Sequence, residues 1–149
     1  MIGSSGMKLV FRLHDVGFAL PLDDLIEVGE GLGGFLRPGP VSTASCSIGT
    51  IEHRGIEVPL LDLGAYLDLG AVDLSRANNF LVLAGADRPW ALAVDRVTGV
   101  FAAAEFASVP VPAWYFREWQ RPFHTLAIWR EEPLILCEAL PFEQMLVAQ

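Results

Sequence analysis

Hydrophobic and polar positions alternate in short runs along much of the chain, and glycine and proline interrupt the runs. A period of two is the mark of half-buried β-strands. In residues 8–14 (KLVFRLH), Leu9, Phe11 and Leu13 alternate with Lys8, Arg12 and His14. Asp15-Val16-Gly17 reads as a turn into residues 18–21, which predicts a hairpin. Residues 25–28 (LIEV) form a further short strand candidate. Residues 47–52 and 56–61 flank His53-Arg54-Gly55, a second hairpin whose glycine stands where a positive φ is needed. Residues 80–84 and 90–94 flank a third turn, and residues 125–129 and 134–137 flank a fourth at Arg130-Glu131-Glu132-Pro133. Helical signals are brief: Asp62 can cap a short helix over 63–67, and 139–147 predicts a C-terminal helix with Pro141 in its first turn. Short, closely spaced strands with 14 Gly and 10 Pro favour an all-β barrel or sandwich over parallel α/β. The polar stretch 70–79 separates two similarly built halves, so the expected architecture is two small β-barrels, one from each half of the chain.

Composition narrows the class. At 149 residues the chain suits one domain, expected over 8–149, with residues 1–7 a disordered lead. Hydrophobic residues make up 52% and charged residues 19%, a low charge content that hints at surface covered by a partner. Ten Lys and Arg against 18 Asp and Glu give a net charge of −8, which argues against nucleic acid and anionic membrane surfaces as partners. No run is apolar enough to span a bilayer, and Cys46 and Cys137 form no CxxC, so a reduced cytoplasmic setting is expected.

Motifs that carry chemistry are few. Gly29-Glu30-Gly31-Leu32-Gly33-Gly34 matches G-x-G-x-x-G, but a dinucleotide site needs it to open a helix. Arg37-Pro38-Gly39-Pro40 follows instead, so the stretch is a loop. His14, His53 and His124 lack the spacing of metal ligands, Ser45 lacks a nucleophile elbow, and Cys137 falls in an apolar run that reads as core. No catalytic residue, cofactor or metal is expected. Residues 109–119 are rich in aromatics: Trp114, Tyr115, Phe116 and Trp119 serve either as an interface anchor or as barrel core.

The order of segments resembles the CheW-like domains. Residues 10–13, 18–22 and 25–28 resemble the opening of that family, and residues 48–63 (IGTIEHRGIEVPLLDL) resemble its signature G-x-x-x-x-R-G-x-x-x-P-x-x-D-L. Residues 93–100 (AVDRVTGV) are similar to its V-D-x-V-x-x-V segment, and 134–136 fall at its closing strand. The resemblance implies two five-stranded SH3-like β-barrels around a shared core. It also implies a non-enzymatic adaptor that couples the cytoplasmic tip of methyl-accepting chemoreceptors to the regulatory domain of a CheA-type histidine kinase. Leu25, Glu27, Gly49, Arg54 and Gly55 stand at positions that the resemblance ties to partner binding or its support. Arg54 can fork onto a partner carboxylate or hold the shape of its own loop. Pro59 implies an edge or strand-start position, and Asp62 and Asp95 read as caps and turn-formers.

The chain departs from the family pattern at Glu52 and His53, where Asn-Leu is usual, and in the Trp114–Trp119 aromatics. Two other readings stay open at this point. One is a diverged scaffold or self-associating regulator of another chemosensory system, such as pilus motility, that does not bind the kinase. The other is a small-ligand binder or enzyme using Glu52, His53 and Arg54.

Overall fold

The computed structural model describes residues 6–31, 47–66, 79–111 and 125–137. Its strands are β1 (Met7–Leu13), β2 (Val16–Pro21), β3 (Leu25–Glu30), β4 (Ser47–His53), β5 (Ile56–Leu61), β6 (Asn79–Leu83), β7 (Trp90–Val94), β8 (Arg96–Ala102), β9 (Phe106–Pro110), β10 (Thr125–Trp129) and β11 (Glu132–Leu136). A single helical turn, α1 (Leu63–Tyr66), follows Asp62 as expected. Short 3-10 turns occupy Leu22–Asp24 and Ala103–Glu105. The expected C-terminal helix lies outside the described residues.

All four predicted hairpins form, and in three of them the turn is tighter than the sequence suggests. The turn between β4 and β5 is Arg54-Gly55, with φ of 51° and 80°. Two positive φ values give the turn the twist that paired strands need. His53 therefore belongs to β4, paired with Ile56. Likewise Arg130-Glu131 alone joins β10 to β11, with φ of 51° and 66°, and Glu132 and Pro133 enter the strand. The first turn is His14-Asp15 rather than Asp15-Val16-Gly17. His14 takes φ 54°, and its N–H donates to the Asp95 carboxylate.

Gly17 sits inside β2 for a separate reason. The guanidinium of Arg12, on β1, passes over it to form a forked pair with Glu132 on β11, with Nη2 donating to Oε1 at 2.7 Å and Nη1 to Oε2. A Cβ on Gly17 would stand 2.4 Å from Leu134 Cδ2 and 3.0 Å from Arg12 Nη1.

The strands form a six-stranded sheet, in order β8-β1-β2-β11-β10-β9, and a five-stranded sheet, β3-β6-β7-β5-β4. All pairs are antiparallel except β2 with β11 and β5 with β7. The class is all-β, but the expectation of two five-stranded closed barrels is corrected: among the described residues the sheets have six and five strands, and neither is closed by a backbone ladder. Nor does each half of the chain build its own sheet. The chain leaves the first sheet after β2, builds the second from β3 to β7, and returns with β8 to β11. Local hairpins cannot reveal this, because the two parallel contacts and the β1–β8 pairing join residues distant in sequence. β8 and β9 carry no strand assignment in the sequence reading. They are outer strands whose exposed apolar residues, Val100 and Val109, blur the alternation. Pro59 lies within an interior strand but just ahead of the stretch, Leu60-Leu61, that pairs with β7, so its missing N–H leaves that ladder intact.

Strand alternation sorts the apolar side chains into three layers. Leu9, Phe11 and Leu13 of β1 and Phe18 and Leu20 of β2 meet Leu81, Leu83, Trp90, Leu92 and Val94 of the other sheet in a shared core. The Phe11 and Phe18 rings stack there with centroids 5.2 Å apart. The intervening residues point the other way. Phe80, Val82, Ala91 and Ala93 join Ile51, Val58 and Leu60 in the hollow of the five-stranded sheet. Val10 and Ala19 join Ala127, Trp129 and Leu134 in the hollow of the six-stranded one. β1, β2, β6 and β7 are thus buried on both faces, and each fully buried large side chain contributes about 1.5–3 kcal/mol. Cys137 lies in the shared core, fully buried, and burial pushes its thiol well above the usual range.

Candidate functional site

β3 and β4 are the two outer strands of the five-stranded sheet. The sheet curls around the Phe80 layer until these edges face each other, and an open cleft of about 680 Å³ lies along their seam. Glu27, Val28, Gly29 and Glu30 of β3 form one wall, Glu52, His53 and Arg54 form the other, and Phe80 of β6 lines it as well.

The neighbourhood of Phe80 depends on a missing side chain. Gly29 is paired with Phe80, and a Cβ built on it would fall 2.0 Å from the ring. The aromatic ring therefore covers the bare backbone of the edge strand, a recurrent way of stabilising an edge glycine. This also accounts for the start of the G-x-G-x-x-G match: Gly29 and Glu30 end a strand, and Gly33 and Gly34 lie outside the described residues.

Across the seam the edges are linked by side chains. His53 follows Gly49 and Ile51 on the face of β4 that points into the sheet's hollow, because side chains two apart share a face. Its imidazole is 9% exposed, and its Nδ1 lies 2.8 Å from Glu27 Oε2. The Glu27 side chain remains about half exposed, at 48%. Position 53 reads from sequence as a turn residue. The signal that would have found its role is its period-two register with buried Ile51.

The positions tied to partner binding by resemblance distribute as follows. Glu27 and Arg54 line the same cleft. Gly55 forms the turn beside Arg54, and Gly49 occupies an irregularity in the β4–β5 pairing, with φ 142°. Leu25 stands at the start of β3 and packs partly against the shared core. Arg54 is exposed, and its side chain makes no ion pair or hydrogen bond among the described residues. Close by, β3 exposes Ile26 (40%) and Val28 (37%), and Ile56 beside the turn is 54% exposed. Trp114, Tyr115, Phe116 and Trp119 lie outside the described residues.

The six-stranded sheet carries an aromatic group built from β8 and β10. Phe101 and Trp129 approach at 4.6 Å between centroids, and the Arg130 guanidinium lies 4.5 Å from the Trp129 ring centre and 5.0 Å from that of Phe101. Arg130 also reaches Glu105 at 3.4 Å. Among the described residues no three His, Cys, Asp or Glu side chains converge as metal ligands would, and no helix is long and apolar enough to cross a membrane.

A family model described as CheW-like domain matches residues 8–136. The structure is similar to the crystal structure of scaffolding protein TtCheW from Thermoanaerobacter tengcongensis. The TM-score is 0.71 at 20% sequence identity, over 89% of this chain and 88% of that one. No curated protein matches the sequence.

Proposed function

Because the chain belongs to the CheW-like domain family, we propose that it is a non-enzymatic adaptor of bacterial chemosensory signalling. In this reading it links the regulatory domain of a CheA-type histidine kinase to the cytoplasmic tip of a chemoreceptor, and it works in the cytoplasm. The observation that carries the reading is the surface around the seam. Exposed Ile26 and Val28 flank Glu27 on an edge strand, and Val28 shares the cleft lining with Arg54, which makes a short apolar strip bordered by charge. Such a strip suits protein docking: apolar burial supplies the free energy and charged rims supply orientation and register. A small-ligand reading is not favoured by a cleft that opens to solvent, lined by Glu27, Glu30, Glu52 and Arg54 together with Val28, Gly29, His53 and Phe80.

Sedimentation of the purified protein with the kinase regulatory domain and with a receptor tip hairpin, both from the same genome, tests the proposal. Complex formation with a Kd below about 100 µM is expected, weakened by Arg54→Ala and by Glu27→Lys. No complex with either partner at that concentration overturns it. Self-association in place of these complexes would instead mark a scaffold outside the kinase pathway.

A further inference from the structure

The link between Glu27 and His53 is placed where docking would happen, which gives His53 a task beyond holding the fold. Resting on the adaptor reading above, we propose that His53 is a positioning residue for Glu27 and makes docking of a cationic partner group at the seam depend on its protonation.

The chemistry of the recognised group follows from the walls. Glu27 and Glu30 come from β3 and Glu52 and Arg54 from β4 and its turn, while Glu57 of β5 is held by the Thr50 hydroxyl outside the cleft lining. Among the described lining residues Arg54 is the one permanent cation beside three carboxylates, and Glu27 can accept a further donor, so the group drawn into the cleft is an Arg or Lys side chain of a partner protein. Glu27 is suited to receive it. One carboxylate oxygen is held by His53 and the side chain is half exposed, so the other oxygen is free to accept a second donor. His53 itself is almost wholly buried.

Protonation then sets the charge that the partner meets. Neutral imidazole donates one hydrogen bond and leaves Glu27 its full negative charge. Imidazolium, 2.8 Å away, cancels that charge at the mouth of the cleft. Affinity for a cationic partner group therefore falls as pH drops, and by linkage binding releases protons.

The test measures Kd of the full-length protein for the kinase regulatory domain and for the receptor tip hairpin between about pH 5.5 and 8. Calorimetry in buffers of different ionisation enthalpy reads the protons released. The wild type is expected to bind about three- to tenfold more weakly at the acid end and to release protons. His53→Gln should bind with a smaller pH dependence than the wild type. Glu27→Gln, at a half-exposed position that tolerates change, should bind weakly with an equally flattened profile. His14→Asn, remote from the cleft, should keep the wild-type profile, which separates His53 from titrating groups on the partner. An undiminished pH dependence in both His53→Gln and Glu27→Gln, or tighter wild-type binding at acid pH, overturns the proposal while the adaptor reading stands. No binding to either partner at any pH overturns the adaptor reading itself.

Discussion

Replacing Gly29 by alanine adds one methyl group at a position where the Phe80 ring already occupies the space. The built Cβ lies 2.0, 2.3 and 2.4 Å from three ring carbons. Ordinary carbon contacts are about 3.5–4.0 Å, so the ring must retreat by roughly 1.5 Å. It has little room to do so: Phe80 is 6% exposed and packs in one layer with Ile51, Val58, Leu60, Val82, Ala91 and Ala93. Overpacking of this kind costs about 1–3 kcal/mol. Removing a glycine from a strand interior returns about 0.5–1 kcal/mol, so a net loss of about 0.5–2 kcal/mol is expected. For a chain of this length that corresponds to a fall in Tm of roughly 1–8 °C. Chemical denaturation of the wild type, Gly29→Ala, Phe80→Leu and the double variant is the appropriate assay. Leucine lacks the ring carbons that clash, so the alanine penalty should largely vanish in the Phe80→Leu background, giving a coupling above about 0.5 kcal/mol. If Gly29→Ala is as stable as the wild type, or if the two changes simply add, the ring does not cover the glycine and the described floor of the cleft is wrong.

Three further outcomes follow from the same geometry. Gly55→Ala should cost about 1–2 kcal/mol, because the site is open to a methyl group but φ is 80°; equal stability in urea would refute the turn. The Arg12 guanidinium holds the Glu132 carboxyl below its ordinary range, so that pair's contribution is present above about pH 4.5. It is lost as the pH falls through the folded-state value, and Glu132→Gln should therefore lessen the slope of acid unfolding. A steeper slope would sink that assignment, and the effect is modest because the Glu132 side chain is 37% exposed. In a Cys46→Ser background, Cys137 should react with a disulfide reagent only as fast as the protein unfolds; rapid labelling under native conditions would contradict its burial.

The seam explains why the family resemblance and the residue chemistry had to be read together. Glu27 and Arg54 stand out only through the resemblance, since a lone strand glutamate and a turn arginine have no distinctive spacing. The structure brings them to one cleft. Leu25 and Gly49, marked by the same resemblance, turn out to sit in the packing and in a strand irregularity. The pairing of His53 was missed because a histidine next to Arg-Gly looks like part of the turn, and its half-exposed partner Glu27 is 26 positions away. The same blindness applies at Gly17, which mimics a turn residue but serves the passage of Arg12 to Glu132, far along the chain.

What the amino-acid order determined by itself was local: which segments extend, where they reverse, and which side of each strand is apolar. These properties depend on neighbours within a few residues, through alternation and the φ demands of turns. Tertiary structure alone decided that β2 meets β11 and β5 meets β7, that strands from both halves of the chain share each sheet, and that β3 and β4 face each other across a seam. Those contacts are selected by burial of three apolar layers at once, a condition on the whole chain that no short window contains.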